Sequence, residues 1–169
     1  MKEQMRIELH NETEYTERIS FQDIWTHASK LKHVGCRVAA ITDRNSVDGI
    51  HMAEYEFMRR GIQPIYGVTL NCIDIDDRYD VVLLAANLTG RDNIFRLIEL
   101  LENNRFSFGH AITREQLDAH RKGTLLGAAA KNGQIVRAIL HRRDQRYLET
   151  ITQDYDYLEF TSEPYDIAA

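Results

Sequence analysis

Residues 38–49, which read VAAITDRNSVDG, decide the fold of this 169-residue chain. The first four residues are small and apolar, and an unbroken run of this kind is typical of a strand that is buried on both faces. Polar residues follow at 42–46, before a helical pattern begins. Because the functional side chains of parallel α/β barrels collect at the carboxyl ends of the strands, this stretch predicts a buried parallel strand and one edge of a site.

A second stretch has the same form. Residues 6–16 read RIELHNETEYT, so a short strand pattern is followed at once by His10 and by the carboxylates Glu12 and Glu14. The carboxyl ends of two parallel strands in one sheet lie at the same edge. We therefore expect residues 10–16 and 42–44 to lie close together.

Strand and helix patterns alternate along the rest of the chain. Apolar runs predict six strands, at residues 5–9, 38–41, 62–75, 79–86, 124–129 and 157–160. Helical patterns lie between most of them, and helical crossovers join parallel strands. The alternation predicts one α/β domain over residues 1–169, built as a distorted TIM-like (β/α) barrel with mainly parallel strands. A complete barrel takes about 250 residues, so we expect an incomplete one.

Two of the predicted helices carry specific expectations. The helix at 20–33 is expected to begin at Ser20 and to include Trp25 in its apolar stripe. The helix at 47–60 is expected to include Tyr55 and Met58 in its apolar residues. Both helices are predicted to end at a glycine.

Composition excludes several function classes. A formal net charge of −5 argues against a free-standing nucleic-acid binder, and the local basic run at 141–146 is expected to be a solvated helix end. No apolar segment approaches the about 20 residues that span a bilayer, and the first residues lack a signal-peptide pattern, which predicts a cytoplasmic protein. Cys36 and Cys72 are isolated in the sequence, so we expect two buried thiols.

Three short motifs carry a family resemblance. Residues 10–13 (HNET) resemble the opening His-x-His-Thr motif of the PHP (polymerase and histidinol phosphatase) domain family. Residues 42–44 (TDR) resemble its Thr-Asp-His motif, and residues 65–69 (IYGVT) resemble a strand that reads Tyr-Gly-Val-Glu.

The resemblance continues in order along the chain. Residues 81–90 (VVLLAANLTG) are similar to the next strand and turn of the family, and residues 125–129 (LLGAA) to its Leu-Ile-Gly-Ser-Ala segment. Residues 155–159 (YDYLE) resemble a segment in the PHP domain of PolC-type bacterial DNA polymerase III α subunits. The ordered series is more specific than any one motif.

The resemblance implies a metal site that is degraded in this chain. Active members bind metal ions through His and carboxylate side chains at the strand ends, ligand types that suit zinc, manganese or iron. Here only His10 and Asp43 match the family's ligand types. Other residue types stand at the remaining family positions, namely Glu12, Arg44, Thr69, Asp80 and Ala130.

Arg44 is the most consequential of these substitutions. A guanidinium stays protonated, and at about 4 Å it would repel a divalent ion by roughly 8 kcal/mol at an effective dielectric constant of about 20. We therefore expect Arg44 to replace the cations by pairing with Glu12, Asp43 or Asp80.

An alternative keeps one ion at the same positions. His10, Glu12, Asp43 and Asp80 would then bind a single manganese or zinc ion, and no other cofactor is expected. The remaining histidines, including His27, are expected to be surface or capping residues.

Three functions follow from the resemblance. The first is a catalytically inactive PHP module that has a structural or interaction role in DNA replication, with polymerase domains or other replication proteins as partners. The second is a metal-dependent phosphoesterase with one residual ion. The third is a partial barrel that self-associates through an exposed last strand at 157–160.

Overall fold

The computed structural model describes residues 5–16, 23–75 and 77–161. The chain divides into two compact units, residues 1–68 and 69–169, and the boundary falls inside the third strand. The prediction of a single domain over residues 1–169 stays a prediction.

The first unit is a parallel sheet with two helices. Its elements are β1 (Arg6–Glu8), α1 (Ile24–His33), β2 (Cys36–Ile41), α2 (Ile50–Met58) and the first half of β3 (Gln63–Asp74). Strand β2 is central, because Val38 lies opposite Ile7 of β1 and opposite Gln63 of β3, both in parallel register. Ala39 and Ala40 point to opposite faces and both are fully buried, which confirms the predicted strand.

Helix α1 differs from its prediction at its start. It begins after Asp23, whose side chain caps the helix by accepting a hydrogen bond from the Thr26 N–H at 2.8 Å. The capping hydrogen bond lowers the pKa of Asp23. Ser20 lies outside the described residues. Trp25 is exposed, so its place in the apolar stripe was wrong: the stripe contains Ile24, Ala28 and Leu31, and Trp25 lies about 100° away from Ile24 on the helix.

Helix α2 also presents residues to solvent that were expected in its apolar stripe. Its inner side contains Ile50, Ala53 and Phe57, which are spaced three and four residues apart and are buried. This spacing leaves Tyr55 and Met58 on the opposite side, where both are exposed. The expectation for these two residues was therefore wrong.

The second unit contains the second half of β3 and eight further elements. They are β4 (Asp77–Ala85), α3 (Leu88–Asn103), β5 (Ile112–Thr113), α4 (Arg114–His120), β6 (Thr124–Ala128), α5 (Gln134–Leu140), α6 (Gln145–Thr152) and β7 (Tyr157–Leu158). The two-residue strand β5, which pairs with β3, was not predicted because it is too short to form an apolar run. Helix α4 begins with a capping box, since the side chains of Thr113 and Gln116 accept hydrogen bonds from each other's backbone N–H groups.

The sheet of the second unit is not wholly parallel. Strand β4 pairs antiparallel with β6, from Val81 opposite Ala128 to Ala85 opposite Thr124. Strand β4 is also the neighbour of β3 and begins only three residues after Asp74. A connection this short joins antiparallel strands, whereas parallel strands need a long crossover. The pairs β3 with β5 and β6 with β7 are parallel, and the second of these agrees with the prediction of mainly parallel strands.

Apolar packing on both faces of β4 forms the core of the second unit. The four residues Val81 to Leu84 are buried, as are Ile94, Leu97 and Leu101 on one side of α3. Gly90 lets α3 approach the loop before β6, because a Cβ atom there would lie 1.8 Å from the carbonyl oxygen of Gly123. The predicted strand 79–86 and the predicted helix after it are confirmed.

Both cysteines are buried free thiols, as predicted. Burial raises the pKa of the Cys72 thiol to about 11, which keeps it in the unreactive protonated form at neutral pH. Among the helices of the described residues, none combines the length and the apolar character that a membrane span requires.

Candidate functional site

The loops after β1 and β2 meet at one edge of the first unit. The Asn11 N–H donates to the Thr42 hydroxyl at 3.0 Å, and the Thr42 N–H donates to the Asn11 carbonyl oxygen at 2.8 Å. These reciprocal bonds extend the parallel pairing of β1 and β2 beyond the strands. The expectation that residues 10–16 and 42–44 lie close together is confirmed.

Asp43 is the buried centre of this edge. Its side chain is 1 % exposed, and its carboxylate accepts hydrogen bonds from the Thr13 N–H, from the Thr13 hydroxyl at 2.7 Å and from the Thr16 hydroxyl at 2.8 Å. Burying a carboxylate costs several kcal/mol unless such donors replace water. The carboxylate of Asp43 therefore ties the loop after β1 to the end of β2.

Gly49 makes room for this arrangement. A Cβ atom at this position would lie 2.7 Å from the Tyr15 ring and 3.2 Å from the Asp43 carboxylate. Both distances are shorter than ordinary van der Waals contacts, so a side chain would push the loop and the carboxylate apart. Glycine at the end of the stretch 38–49 is thus required by close packing.

His10 and Glu12 lie next to each other on the same loop. His10 Nε2 is 3.7 Å from a Glu12 carboxylate oxygen, and both side chains are partly exposed. Residues 5–16, 23–75 and 77–161 contain no group of three or more His, Cys, Asp or Glu side chains arranged to hold a metal ion. The structure thus brings two predicted ligands together without forming a cluster among the described residues.

Arg44 follows Asp43 directly and is half-buried. Its backbone N–H donates to the Thr16 hydroxyl at 3.1 Å, and the same hydroxyl donates to Asp43. Thr16 therefore bonds both the side chain of Asp43 and the backbone of Arg44. The pairing of the Arg44 guanidinium with Glu12, Asp43 or Asp80 stays a prediction.

His27 is a residue of this edge that was not predicted. The Asn11 amide donates to the Ala40 carbonyl at 2.8 Å, so the Asn11 Oδ1 atom accepts from His27 Nε2 at 2.9 Å. Burial lowers the pKa of His27, although the nearby Asp43 carboxylate opposes the shift. His27 is half-buried and bonded to the loop after β1, so its assignment as a surface or capping residue was wrong.

Sequence signals for these residues differ in strength. His27 lies three residues after Ile24 and four before Leu31, both of which are buried in α1, and this spacing marks it as an inward-facing residue. Asn11, Thr13 and Thr16 lie within the stretch 6–16, but neither amides nor hydroxyls suggest a metal ligand. Their role as hydrogen-bond partners becomes visible only in the folded chain.

The second unit contains the other family positions. Thr69 is buried in β3. Asp80 is buried in β4, and its backbone N–H donates to the Asn132 carbonyl at 2.9 Å. The Ala130 N–H, after β6, lies 3.4 Å from a Glu159 carboxylate oxygen.

A separate cleft of about 610 Å³ lies on the second unit near the basic run. Its charged lining includes Arg137, Arg143, Asp74 and Asp77, and Arg137 pairs with Asp77 at 2.8 Å. The Arg143 guanidinium lies 5.5 Å from the centre of the Tyr147 ring. Cations and carboxylates balance in this lining, so the cleft shows no preference for an anion.

Comparison with known proteins decides the family. The model of the PHP domain family matches residues 8–162. The chain belongs to the PHP domain family. This membership confirms the resemblance drawn from the motifs.

PHP regions of bacterial replicative polymerases are among the relatives. The PolC-type DNA polymerase III of Bacillus subtilis (strain 168) is 36% identical over 81 residues, which cover 48% of this chain and 6% of the polymerase. The DNA polymerase III subunit alpha of Helicobacter pylori (strain ATCC 700392 / 26695) is 25% identical over 135 residues, which cover 75% of this chain and 11% of that subunit. The PHP chain therefore matches only a small part of the length of these relatives.

A solved structure shares the fold. A crystal structure assigned as a metal-dependent phosphoesterase of Bifidobacterium adolescentis aligns with a TM-score of 0.57 at 12% identity and covers 90% of this chain and 76% of that one. At this identity the likeness shows the fold alone. The predicted PHP-type, TIM-like α/β fold class is confirmed.

Proposed function

We propose that this chain is a PHP module of a DNA polymerase III-type replication protein, and that it contributes structure or interactions rather than phosphoester hydrolysis. Family membership and the polymerase relatives support the first part. The proposed location is the cytoplasm, and the proposed partners are polymerase domains or other replication proteins. The net charge of −5 argues against strong direct binding to nucleic acid.

The hydrogen bonding of Asp43 is the observation that carries the inactive assignment. The Asp43 carboxylate has about four lone-pair sites. Donors from Thr13 and Thr16 use three of them, two on Oδ1 and one on Oδ2. At most one lone pair, on Oδ2, is left for an ion, and an ion that took Oδ1 would leave buried donors without an acceptor. The half-buried Arg44 beside it adds a fixed positive charge. Both features support the proposal that this chain lacks the metal cluster that the family resemblance implies for active members.

Elemental analysis tests this proposal. The purified chain is dialysed against manganese or zinc, then against metal-free buffer, alongside Arg44→His and the control Arg37→His, which alters an exposed arginine of β2. We expect the unmodified chain and the control to retain less than about 0.1 ion per chain. A gain confined to Arg44→His would identify Arg44 as the excluding charge. Retention of about one ion by the unmodified chain would contradict the proposal.

The second candidate function is a phosphoesterase with one residual ion bound by His10, Glu12, Asp43 and Asp80. The observation in its favour is the 3.7 Å approach of His10 to Glu12, which places two ligand types side by side. Hydrolysis of bis(p-nitrophenyl) phosphate with added manganese tests it. Activity that is lost in Glu12→Gln and kept in Glu14→Gln, a substitution of an exposed residue on the same loop, would favour this function.

Self-association is a third candidate. Strand β7 stands at one end of the strand order, and Leu158 and Phe160 near it are exposed. Sedimentation equilibrium of the chain and of Leu158→Lys tests it. A dimer that the substitution dissociates would support association through this strand.

A further inference from the structure

The outer side of α2 is unusually apolar for an exposed helix. Met52, Tyr55 and Met58 are 52%, 61% and 62% exposed, and their three-residue spacing places them along one side. The inner side of the same helix already buries apolar residues against the first unit. A surface helix normally carries polar residues outward, so α2 is apolar on two sides.

Cationic side chains border this apolar ridge at its carboxyl-terminal end. The Arg59 guanidinium lies 5.6 Å from the centre of the Tyr55 ring, and the Arg60 guanidinium lies 5.6 Å from that of Trp25 in α1. Trp25 is itself 59% exposed. Stacked arginines of this kind present a charge and a flat apolar surface together.

Among the described residues of α2, acidic side chains do not cancel this charge. Glu56 is buried and forms ion pairs with both Arg59 and Arg60, so one carboxylate faces two guanidinium groups. Glu54 is partly exposed, but it lies toward His51, 4.0 Å away, on the amino-terminal half of the helix. Lys32 adds a further cation near the end of α2, where its Nζ atom is 3.9 Å from the place of a Cβ atom on Gly61.

We propose that this surface, formed by Met52, Tyr55, Met58 and Arg59 of α2 with Trp25 and Lys32 of α1, docks an acidic amphipathic segment of a partner protein. Tyrosine, tryptophan, methionine and arginine are the residue types enriched in protein interfaces, and tyrosine, tryptophan and arginine dominate their binding energy. The apolar ridge accommodates apolar side chains of the segment, and the bordering cations pair with its carboxylates.

A protein segment fits these residues better than nucleic acid does. Single-stranded nucleic acid needs a continuous cationic groove along its backbone, whereas two of the outward residues of α2 are methionines. The residues of this surface belong to the first unit and lie outside the candidate metal positions. Docking here therefore does not depend on whether the domain hydrolyses phosphoesters.

Peptide selection on the full chain tests the proposal. A displayed library of random peptides of about 16 residues is selected for binding to the intact protein, and only binders to the immobilisation support are removed. We expect enriched peptides to carry apolar residues at helical spacing and an excess of Asp and Glu. A synthetic peptide of the enriched sequence is then titrated while the fluorescence of Trp25, the single tryptophan of the chain, is recorded.

Substitutions in this surface are expected to weaken peptide binding, and a matched substitution elsewhere is not. Tyr55→Glu is expected to weaken peptide binding at least about tenfold, and Arg59→Glu about fivefold, because each removes a central contact or a complementary charge. Phe160→Glu, which alters an exposed aromatic residue of the second unit, is expected to leave the affinity unchanged. Both altered aromatic residues are exposed, so circular dichroism should show that each variant keeps its fold.

Five results would overturn the proposal. The selection could enrich no peptides, or peptides without an acidic excess. The enriched peptide could bind Tyr55→Glu as tightly as the unmodified chain. An oligothymidylate of about 20 nucleotides could compete with the peptide for this surface, which would make nucleic acid the occupant. Sedimentation could show a dimer that Tyr55→Glu dissociates, which would make a second copy the occupant.

Discussion

Two buried regions of this protein are stabilised in different ways. At the strand ends of the first unit, Asp43 and Thr13 are almost completely buried, and hydrogen bonds satisfy them. In the second unit, β4 buries the apolar residues 81–84 on both faces. The stability gained from buried polar groups depends on the directions and lengths of their hydrogen bonds. The stability gained from buried apolar groups depends on how completely their side chains fill the available volume. The polar region around Asp43 therefore allows one arrangement of the loops. The apolar region around β4 stabilises the fold mainly through the area that it buries.

This difference also bears on how a family position changes its role. Asp43 keeps the residue type of a metal ligand, but its contacts are those of a structural acceptor. A carboxylate can serve either purpose because both uses engage the same oxygen lone pairs. The hydrogen-bonding partners of Asp43, rather than its residue type, are the reason for proposing a structural use.

The largest effect is expected from a cavity in the apolar region. Leu83→Ala should reduce the free energy of unfolding by about 2–5 kcal/mol, because Leu83 is completely buried in β4. Urea unfolding followed by circular dichroism measures the change, and hydrogen exchange should localise it to β4 and β6. The control Leu125→Ala, on the exposed side of β6, should cost less than about 1 kcal/mol. Equal losses for both substitutions would contradict the proposed dependence on volume.

The second prediction removes the charge from the polar region. Asp43→Asn should reduce the free energy of unfolding by about 1–3 kcal/mol, because an amide nitrogen would face donors that need an acceptor. The measurement is made in EDTA, and hydrogen exchange should increase at residues 11–16 and 40–44. Asp48→Asn, an exposed control, should change stability by less than about 0.5 kcal/mol. If Asp43→Asn destabilises the chain only when manganese is present, Asp43 is a metal ligand instead.

Local patterns predicted most elements of this fold correctly. The runs at 38–41 and 79–86 are strands, and the stretches 20–33 and 47–60 contain helices α1 and α2. Each of these signals lies within a few residues of the element it specifies. The family motifs also predicted the fold class, because motifs that occur in a fixed order along the chain constrain the order of its strands and helices.

Features that depend on distant residues were missed. The antiparallel pairing of β4 with β6 depends on the tight connection after β3, and strand β5 exists only because Cys72 of β3 lies opposite Ile112. At the candidate site, the proximity of the two loops was predicted from strand direction. The three donors around Asp43 were not, because hydroxyl groups of Thr13 and Thr16 have no sequence pattern that assigns an acceptor.

A local polar contact is also expected to contribute to the stability of the mainly apolar second unit. Thr113→Ala should cost about 1 kcal/mol, because it removes the hydroxyl that accepts from the Gln116 N–H at the start of α4. Thermal or urea unfolding measures this change. The control Thr89→Ala removes an exposed hydroxyl in the first turn of α3, where Asn87 is the cap, and should be nearly neutral. A neutral Thr113→Ala would mean that packing alone sets the stability of this unit.

The smallest expected effect is a pH dependence in the polar region. Burial lowers the pKa of His27 below its ordinary value of 6.5, so the unfolded chain binds a proton more readily than the folded chain does. The contribution of neutral His27 is therefore complete above pH 6.5 and is lost as the pH falls through the folded pKa. Unfolding free energies measured between about pH 7.5 and pH 5 should decrease with acidity, and His27→Gln, which can still donate to Asn11, should flatten that decrease. The exposed control His51→Gln should not change the profile. If His27→Gln and the unmodified chain lose the same unfolding free energy on acidification, groups other than His27 cause the pH dependence. The protonation of His27 would then not affect the stability of the polar region.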